Sequence, residues 1–328
     1  MGWAVNTRAR QKPLRPDLID QAEIGVPPMS DWHTLRAEMD ADRERRIFLS
    51  HEFVSQVDDA TARRIIEAIG DRIHVAITLR SPGKIVPSLW TQSVRDDAQT
   101  EPFDAWIDRF FGRNAERPIG ERYRRAYVQS ALVDRWARLV GPDNVTVIIV
   151  DKSEPTLLTD TFETMLGLPT GMLQHGRSND SLTAADAELF RRVNIILRDR
   201  GANWSTFHNL VWQGAIKLGP EHRDVGADEP RVVLPAWAAE IADADGARFA
   251  ESIRHSAVRV VGNVDNLAAR SKSAEWHSPD HLPIDIAAEA VAGAVLAGQR
   301  ARDSLKKELK ARATEVEELK IKIAKLSR

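Results

Sequence analysis

Cysteine is absent from the 328-residue chain. That excludes disulfides, thiolate metal sites and a cysteine nucleophile, and it leaves the compartment open. Long apolar runs are missing too. The stretch Ile284 to Leu296 is Ala-rich and shorter than the roughly 18 residues a membrane span needs. The opening M-G-W-A-V-N-T-R-A-R has no signal-peptide core. No excess of one charge exists: 46 Lys and Arg face 48 Asp and Glu, a net charge of −2, so no global field argues for nucleic acid or a membrane surface. No G-x-x-x-x-G-K-[ST] phosphate loop occurs, and there is no internal repeat. The expectation is a soluble cytoplasmic protein with no transmembrane segment and no nucleic-acid partner.

What is present is enough chain for one large domain with appendages. Its most informative stretch is I-H-V-A-I-T-L-R-S-P-G-K-I-V-P-S-L-W, from Ile73 to Trp90. Ile73 to Leu79 reads as a strand buried on both faces. Ser81 is a helix cap and Pro82 suits the first helical position, so a helix begins where the strand ends, its N-terminus partly positive. Arg80 stands at that junction and Ser88 lies eight residues later. A guanidinium fork and a hydroxyl beside a helix N-terminus are good phosphate partners. The plainer reading of Arg80 is a surface salt bridge.

Upstream, Met1 to Pro28 carries four prolines and no clear strand. Ser30 to Glu44 reads as a capped helix, Arg46 to Ser50 as a short strand, and Asp59 to Ile69 as a helix. With the strand at Ile73 they predict a β–α–β unit with a parallel pair. His51 and Glu52 follow the first of those strands, where open parallel sheets place their ligand crevice, and are the acid–base candidates. The alternative is a hydrogen-bonded loop histidine beside a solvated carboxylate.

Downstream, Phe103, Trp106, Ile107, Phe110 and Phe111 form an aromatic helical face, read as core or as the wall of an acceptor pocket. An Arg-rich stretch from Arg113 opens a helix running to Val140. Asn144 to Val150 is the cleanest buried strand, followed by a helix ending at Gly167 and Pro169. Ser181 or Thr183 caps the next helix. Trp204, Trp212 and Trp237 need cover. Val233 to Arg254 reads as a proline-started helix, and Val258 to Val261 as a last short strand. The expected organisation is an α/β domain over 1–270, a Ser- and Pro-containing linker over 271–283 and a helical tail over 284–328. In that tail Leu305, Leu309, Val316, Leu319, Ile323 and Leu326 keep a 3-4 spacing, broken by Arg312. It reads as a short coiled coil making a homodimer, or as a single helix, solvated or docked on its own domain.

R-S-P-G-K-I-V-P-S resembles the 3′-phosphate motif of sulfotransferases that use 3′-phosphoadenosine 5′-phosphosulfate (PAPS), in which Ser follows Arg by eight residues, often with Pro two after the Arg. Arg80, Pro82 and Ser88 match it. The strand–loop–helix ending F-E-T-M-L-G-L-P is similar to the same family. So is N-D-S-L-T-A-A-D-A-E-L-F-R-R-V-N, which resembles actinobacterial sulfotransferase-like proteins and adds Asn179 and Ser181 as pocket candidates beside their capping role. The resemblance covers roughly residues 1 to 270.

It implies a three-layer sulfotransferase-like (P-loop NTPase-like) α/β domain with a short, mainly parallel sheet and a C-terminal helical extension. It implies transfer of a sulfuryl group from PAPS to a hydroxyl or amine of an acceptor, a small molecule or glycan, releasing adenosine 3′,5′-bisphosphate without a metal. Arg80 and Ser88 would hold the 3′-phosphate. Glu52, in a Ser-x-Glu pattern, or His51 would be the base.

One part of the family pattern has no counterpart: the 5′-phosphosulfate loop, Pro-Lys-(Ser/Thr)-Gly-Thr, whose backbone N–H groups and Lys hold the transferred group. Either the start codon is assigned too late, or the chain is truncated. Losing two charge-assisted hydrogen bonds at roughly 1.5–3 kcal/mol each removes about two to four decades of affinity. The chain as given is therefore expected to bind donor weakly, turn over little and expose a sheet edge. The rival is a non-catalytic interaction protein with a degenerate α/β domain and a self-associating tail. A nucleotide-kinase-like phosphotransferase ranks third, because the phosphate loop is missing.

Overall fold

Val145–Ile149 (β2) is V-T-V-I-I, and every one of its residues is buried. In the computed structural model this strand is the middle of a three-stranded parallel sheet, between Val75–Leu79 (β1) and Arg259–Val261 (β3). The register runs from Val75 opposite Val145 to Leu79 opposite Ile149, and from Thr146 opposite Arg259 to Ile148 opposite Val261. The structure describes residues 29–41, 44, 46–70, 72–114, 116, 118–174, 182–218, 229–279 and 281–326, apart from the side chains of 52, 53 and 324–326. Residues 1–28, Asn179 and Ser181 lie outside the described residues, so their expected roles do too.

Met29–Ala41 (α1) and Asp59–Ile69 (α2) precede the sheet. Between β1 and β2 come Pro82–Asp96 (α3), Phe103–Phe110 (α4), Glu121–Tyr127 (α5) and Gln129–Val140 (α6). After β2 follow Leu157–Leu166 (α7), Ala184–Asp199 (α8), a turn at Trp204–Thr206 (α9) continuing as a π-helix over Phe207–Ile216, then Ala236–Arg254 (α10), and, beyond β3, Ile284–Leu326 (α11). The fold is α/β and mostly helical, with a short parallel sheet and one long C-terminal helix.

Two cores result. Alternate residues Ile77, Leu79, Val145, Val147 and Ile149 share one sheet face, as a period of two requires, and pack with α2, α6 and α10. The larger core is built mostly from helices. Val86, Trp90 and Val94 stand at i, i+4, i+8 on α3 and meet Phe103 and Trp106 of α4 and Phe190 of α8. Trp90 and Trp106 are fully buried. The aromatic face of α4 is therefore core. A capping box fixes the start of α8: Thr183 Oγ1 accepts from the Asp186 N–H at 3.1 Å, and Asp186 accepts from the Thr183 N–H at 3.1 Å.

Three expectations are corrected. Arg46 to Ser50 is not a strand, so the β–α–β unit does not form. The segment is extended and exposed, with Phe48 edge-on to Phe162 of α7 at 5.0 Å and Arg46 donating to the Met165 carbonyl. Its strand-like composition finds no neighbouring ladder among the described residues, and composition alone does not make a strand. The helix expected up to Val140 breaks into α5 and α6 at Val128, whose ψ of 82° is outside the helical range. The 271–283 stretch is not a free tether. Trp276 lies against Trp90 and Phe103, at 5.9 and 5.5 Å, and the Ala274 N–H donates to the Leu234 carbonyl.

The first half of α11 docks on the π-helix through small residues. A methyl group on Gly214 would lie 2.8 Å from the Ala297 Cβ and 2.9 Å from the Gly293 carbonyl oxygen. From Arg302 to Ile323 every residue is exposed. No described helix is long and apolar enough to cross a membrane.

Candidate functional site

β1 ends at Leu79 because the chain turns there into a proline-started helix. Ser81 caps α3 with extended backbone (φ −55°, ψ 138°) and Pro82 takes the first helical position. The N-terminus of α3 thus lies at the C-terminal edge of the parallel sheet, where such sheets gather ligands.

Three contacts shape this edge. Gln129, fully buried at the start of α6, donates its amide N–H to the Arg80 carbonyl at 2.7 Å. Lys84, on the first turn of α3, reaches Asp151 just beyond β2 at 2.8 Å. Asp151 also accepts from the Ser153 N–H and hydroxyl at 3.0 and 2.9 Å. Lys84 and these Ser153 donors hold the Asp151 carboxyl well below the usual carboxylate range. The amide oxygen of Gln129 is buried without a hydrogen-bond partner among the described residues.

Arg80 and Ser88 are both on this strand–helix junction. Arg80 has its backbone fixed by Gln129 and an exposed side chain, with no carboxylate against its guanidinium among the described residues. Ser88 shares a face of α3 with Lys84, and its hydroxyl donates to the Lys84 carbonyl at 3.0 Å. One flank of the same turn is closed. A methyl group on Gly83 would overlap the Ser271 hydroxyl, which donates to Asp243 of α10 at 2.5 Å. The Asp243 carboxylate stands on that flank, which disfavours an anion there.

His51 and Glu52 sit elsewhere in the chain path. His51 is half-buried with extended backbone (φ −156°, ψ 117°) and precedes a short 3₁₀ turn, Glu52–Gln56. The Glu52 side chain lies outside the described residues. Arg125 donates to the Gln56 carbonyl at 2.7 Å and Arg135 to the Val57 carbonyl at 2.8 Å, so this turn is fastened to α5 and α6.

Sequence reasoning missed Lys84–Asp151, Gln129 and Asp243–Ser271. Only Asp151 carried a local signal, a D-x-S turn closing the cleanest strand. Among the described residues no group of three or more His, Asp or Glu side chains is placed to hold a metal ion. Compared with known proteins, the chain matches no protein-family model, no curated protein and no solved structure, so any family reading rests on these residues alone.

Proposed function

We propose that the edge formed by β1, α3 and the loop after β2 is a half-site for a 3′-phosphorylated adenosine nucleotide in a sulfotransferase-like α/β domain. The observation that carries this is Arg80, an exposed guanidinium uncompensated by any described carboxylate, beside the N-terminus of α3, the helix that carries Ser88. An arginine fork of this kind matches a phosphate bidentately. Arg80 and Ser88 hold the 3′-phosphate. PAPS, when bound, supplies the sulfuryl group. Glu52 or His51 takes the proton of the acceptor hydroxyl or amine, and adenosine 3′,5′-bisphosphate leaves. The donor's sulfonate end has no P-K-[ST]-G-T cradle in this sequence, so nucleotide binding is expected to outlast turnover.

The test is calorimetric titration of adenosine 3′,5′-bisphosphate into the full chain and its Arg80→Ala variant, with Arg138→Ala as a distant control. Micromolar binding lost only with Arg80→Ala supports the half-site. A folded wild-type chain that takes up no nucleotide overturns it. The second reading, a non-catalytic interaction protein, is favoured by one observation: the exposed second half of α11.

A further inference from the structure

α11 carries two seams on opposite sides. Ile286, Ala290, Gly293 and Ala297 recur every three or four residues, are buried, and face the helix's own domain. In heptad lettering with Leu309 at position a, these are the f and c positions. The a and d positions of the same half hold Ile284, Val291 and Val295, at 86%, 64% and 64% exposure. That outward stripe continues in register through Leu305, Leu309, Val316, Leu319 and Ile323, each half or more exposed. A 43-residue helix is about 65 Å long; its apolar line breaks between Val295 and Leu305, where Gly298 and Arg302 take the seam positions, and the domain covers only the opposite face of its first half.

From this geometry we infer that α11 pairs with α11 of a second copy as a parallel, in-register, two-stranded coiled coil. Residue chemistry selects the occupant and its direction. Position a holds Leu309, Val316 and Ile323, position d Leu305 and Leu319; β-branched residues at a with Leu at d favour two parallel strands. Glu315 at g and Lys320 at the following e form complementary pairs between copies in the parallel arrangement. An antiparallel pairing of the same stretch gains Glu308 against Lys322 but sets Lys306 against Lys320 and Glu315 against itself. Arg302 at a and Arg312 at d interrupt the seam, and carboxylates of the same chain already neutralise them, Asp303 at 3.5 Å and Glu315 at 3.2 Å. The c and f faces point away from the seam, so the two domains flank the paired helices without competing for it. The inference stands on α11 alone and is independent of the nucleotide site.

Sedimentation equilibrium of the full chain at micromolar concentration is expected to give twice the chain mass of 36.7 kDa. Leu309→Asp combined with Leu319→Asp alters only exposed positions and is expected to return a monomer with an unchanged melting profile for the domain. Because the chain has no cysteine, Leu319→Cys tests direction cleanly. In-register parallel pairing brings the two thiols within disulfide range on mild oxidation, whereas the antiparallel pairing above offsets them by about 15 Å along the helix axis, beyond disulfide reach. A wild-type monomer, a trimer or tetramer, a dimer that survives the double Asp variant, or a dimer that leaves Leu319→Cys uncross-linked would each overturn the inference.

Discussion

Lys84 Nζ and Asp151 Oδ2 stand 2.8 Å apart, tying the first turn of α3 to the loop that leaves β2. The pair spans 67 positions of sequence and closes the edge between the two strands. It also neutralises Lys84, whereas Arg80 has no carboxylate against it among the described residues.

The pair has a pH signature. Lys84 and the Ser153 donors lower the Asp151 carboxyl in the folded state from its ordinary 3.8. A carboxyl lowered by folding stabilises the fold above its unfolded value and loses that contribution as pH falls through the folded value. Wild type is therefore expected to melt above Asp151→Asn at neutral pH, with the gap closing as pH drops below about 3.8. Thermal melts of both proteins across that window are the check. A gap that is constant with pH would show that the charge is irrelevant.

Two glycines of helices mark close approaches, one to backbone and one to a side chain. A methyl group on Gly246 of α10 would overlap the Leu267 carbonyl oxygen and lie 3.2 Å from Pro82. Gly246→Ala is expected to cost about 1–3 kcal/mol by overpacking, after partial offset from helix propensity. At Gly83 the obstacle is the movable Ser271 side chain, so the loss of its bond to Asp243, about 1 kcal/mol, nearly cancels the gain in propensity. Urea unfolding of the two variants should separate them, with Gly83→Ala close to wild type.

Glu188, fully buried in α8, accepts from Arg191 and Arg192 and from the Ser278 hydroxyl. Burial works to raise its carboxyl, and the two guanidiniums with Ser278 outweigh it and leave it lowered. Glu188→Ala strands Arg191, only 13% exposed, and is expected to cost about 3–5 kcal/mol in urea unfolding. Replacing both residues by Met should recover much of that loss. A single variant as stable as wild type would show that Arg191 reaches solvent or a new partner.

Local signals in the sequence translated directly into structure. V-T-V-I-I is β2, Ser81–Pro82 starts α3, Thr183 caps α8, and Gly167 ends α7 in the left-handed region at φ 69°. Each of these depends on neighbours within a few residues. Arg46 to Ser50 failed because a strand requires a partner that a pentapeptide does not specify. The stretch before α11 looked like a linker because its Ser and Pro content outweighed one residue, Trp276, which is the reason it docks. The inward seam of α11 escaped notice because Ala and Gly give little apolar periodicity. At the candidate site, Arg80 and Ser88 were legible as one junction. Lys84–Asp151 and Gln129–Arg80 were not, since both are long-range contacts between unremarkable surface-type residues.

The division into two cores also has an optical consequence. Trp90 and Trp106 are enclosed in the helical core, and Trp136 alone of the described tryptophans belongs to the core beneath the sheet. Each core therefore contains its own fluorophore, shielded from water while that core is closed. A protein keeping only Trp136 and one keeping only Trp90 would report, by the red shift of their emission, on the opening of each core separately. Coincident curves would mean that α10, which gives Phe249 to one core and Ala250 and Ile253 to the other, makes the domain a single cooperative unit.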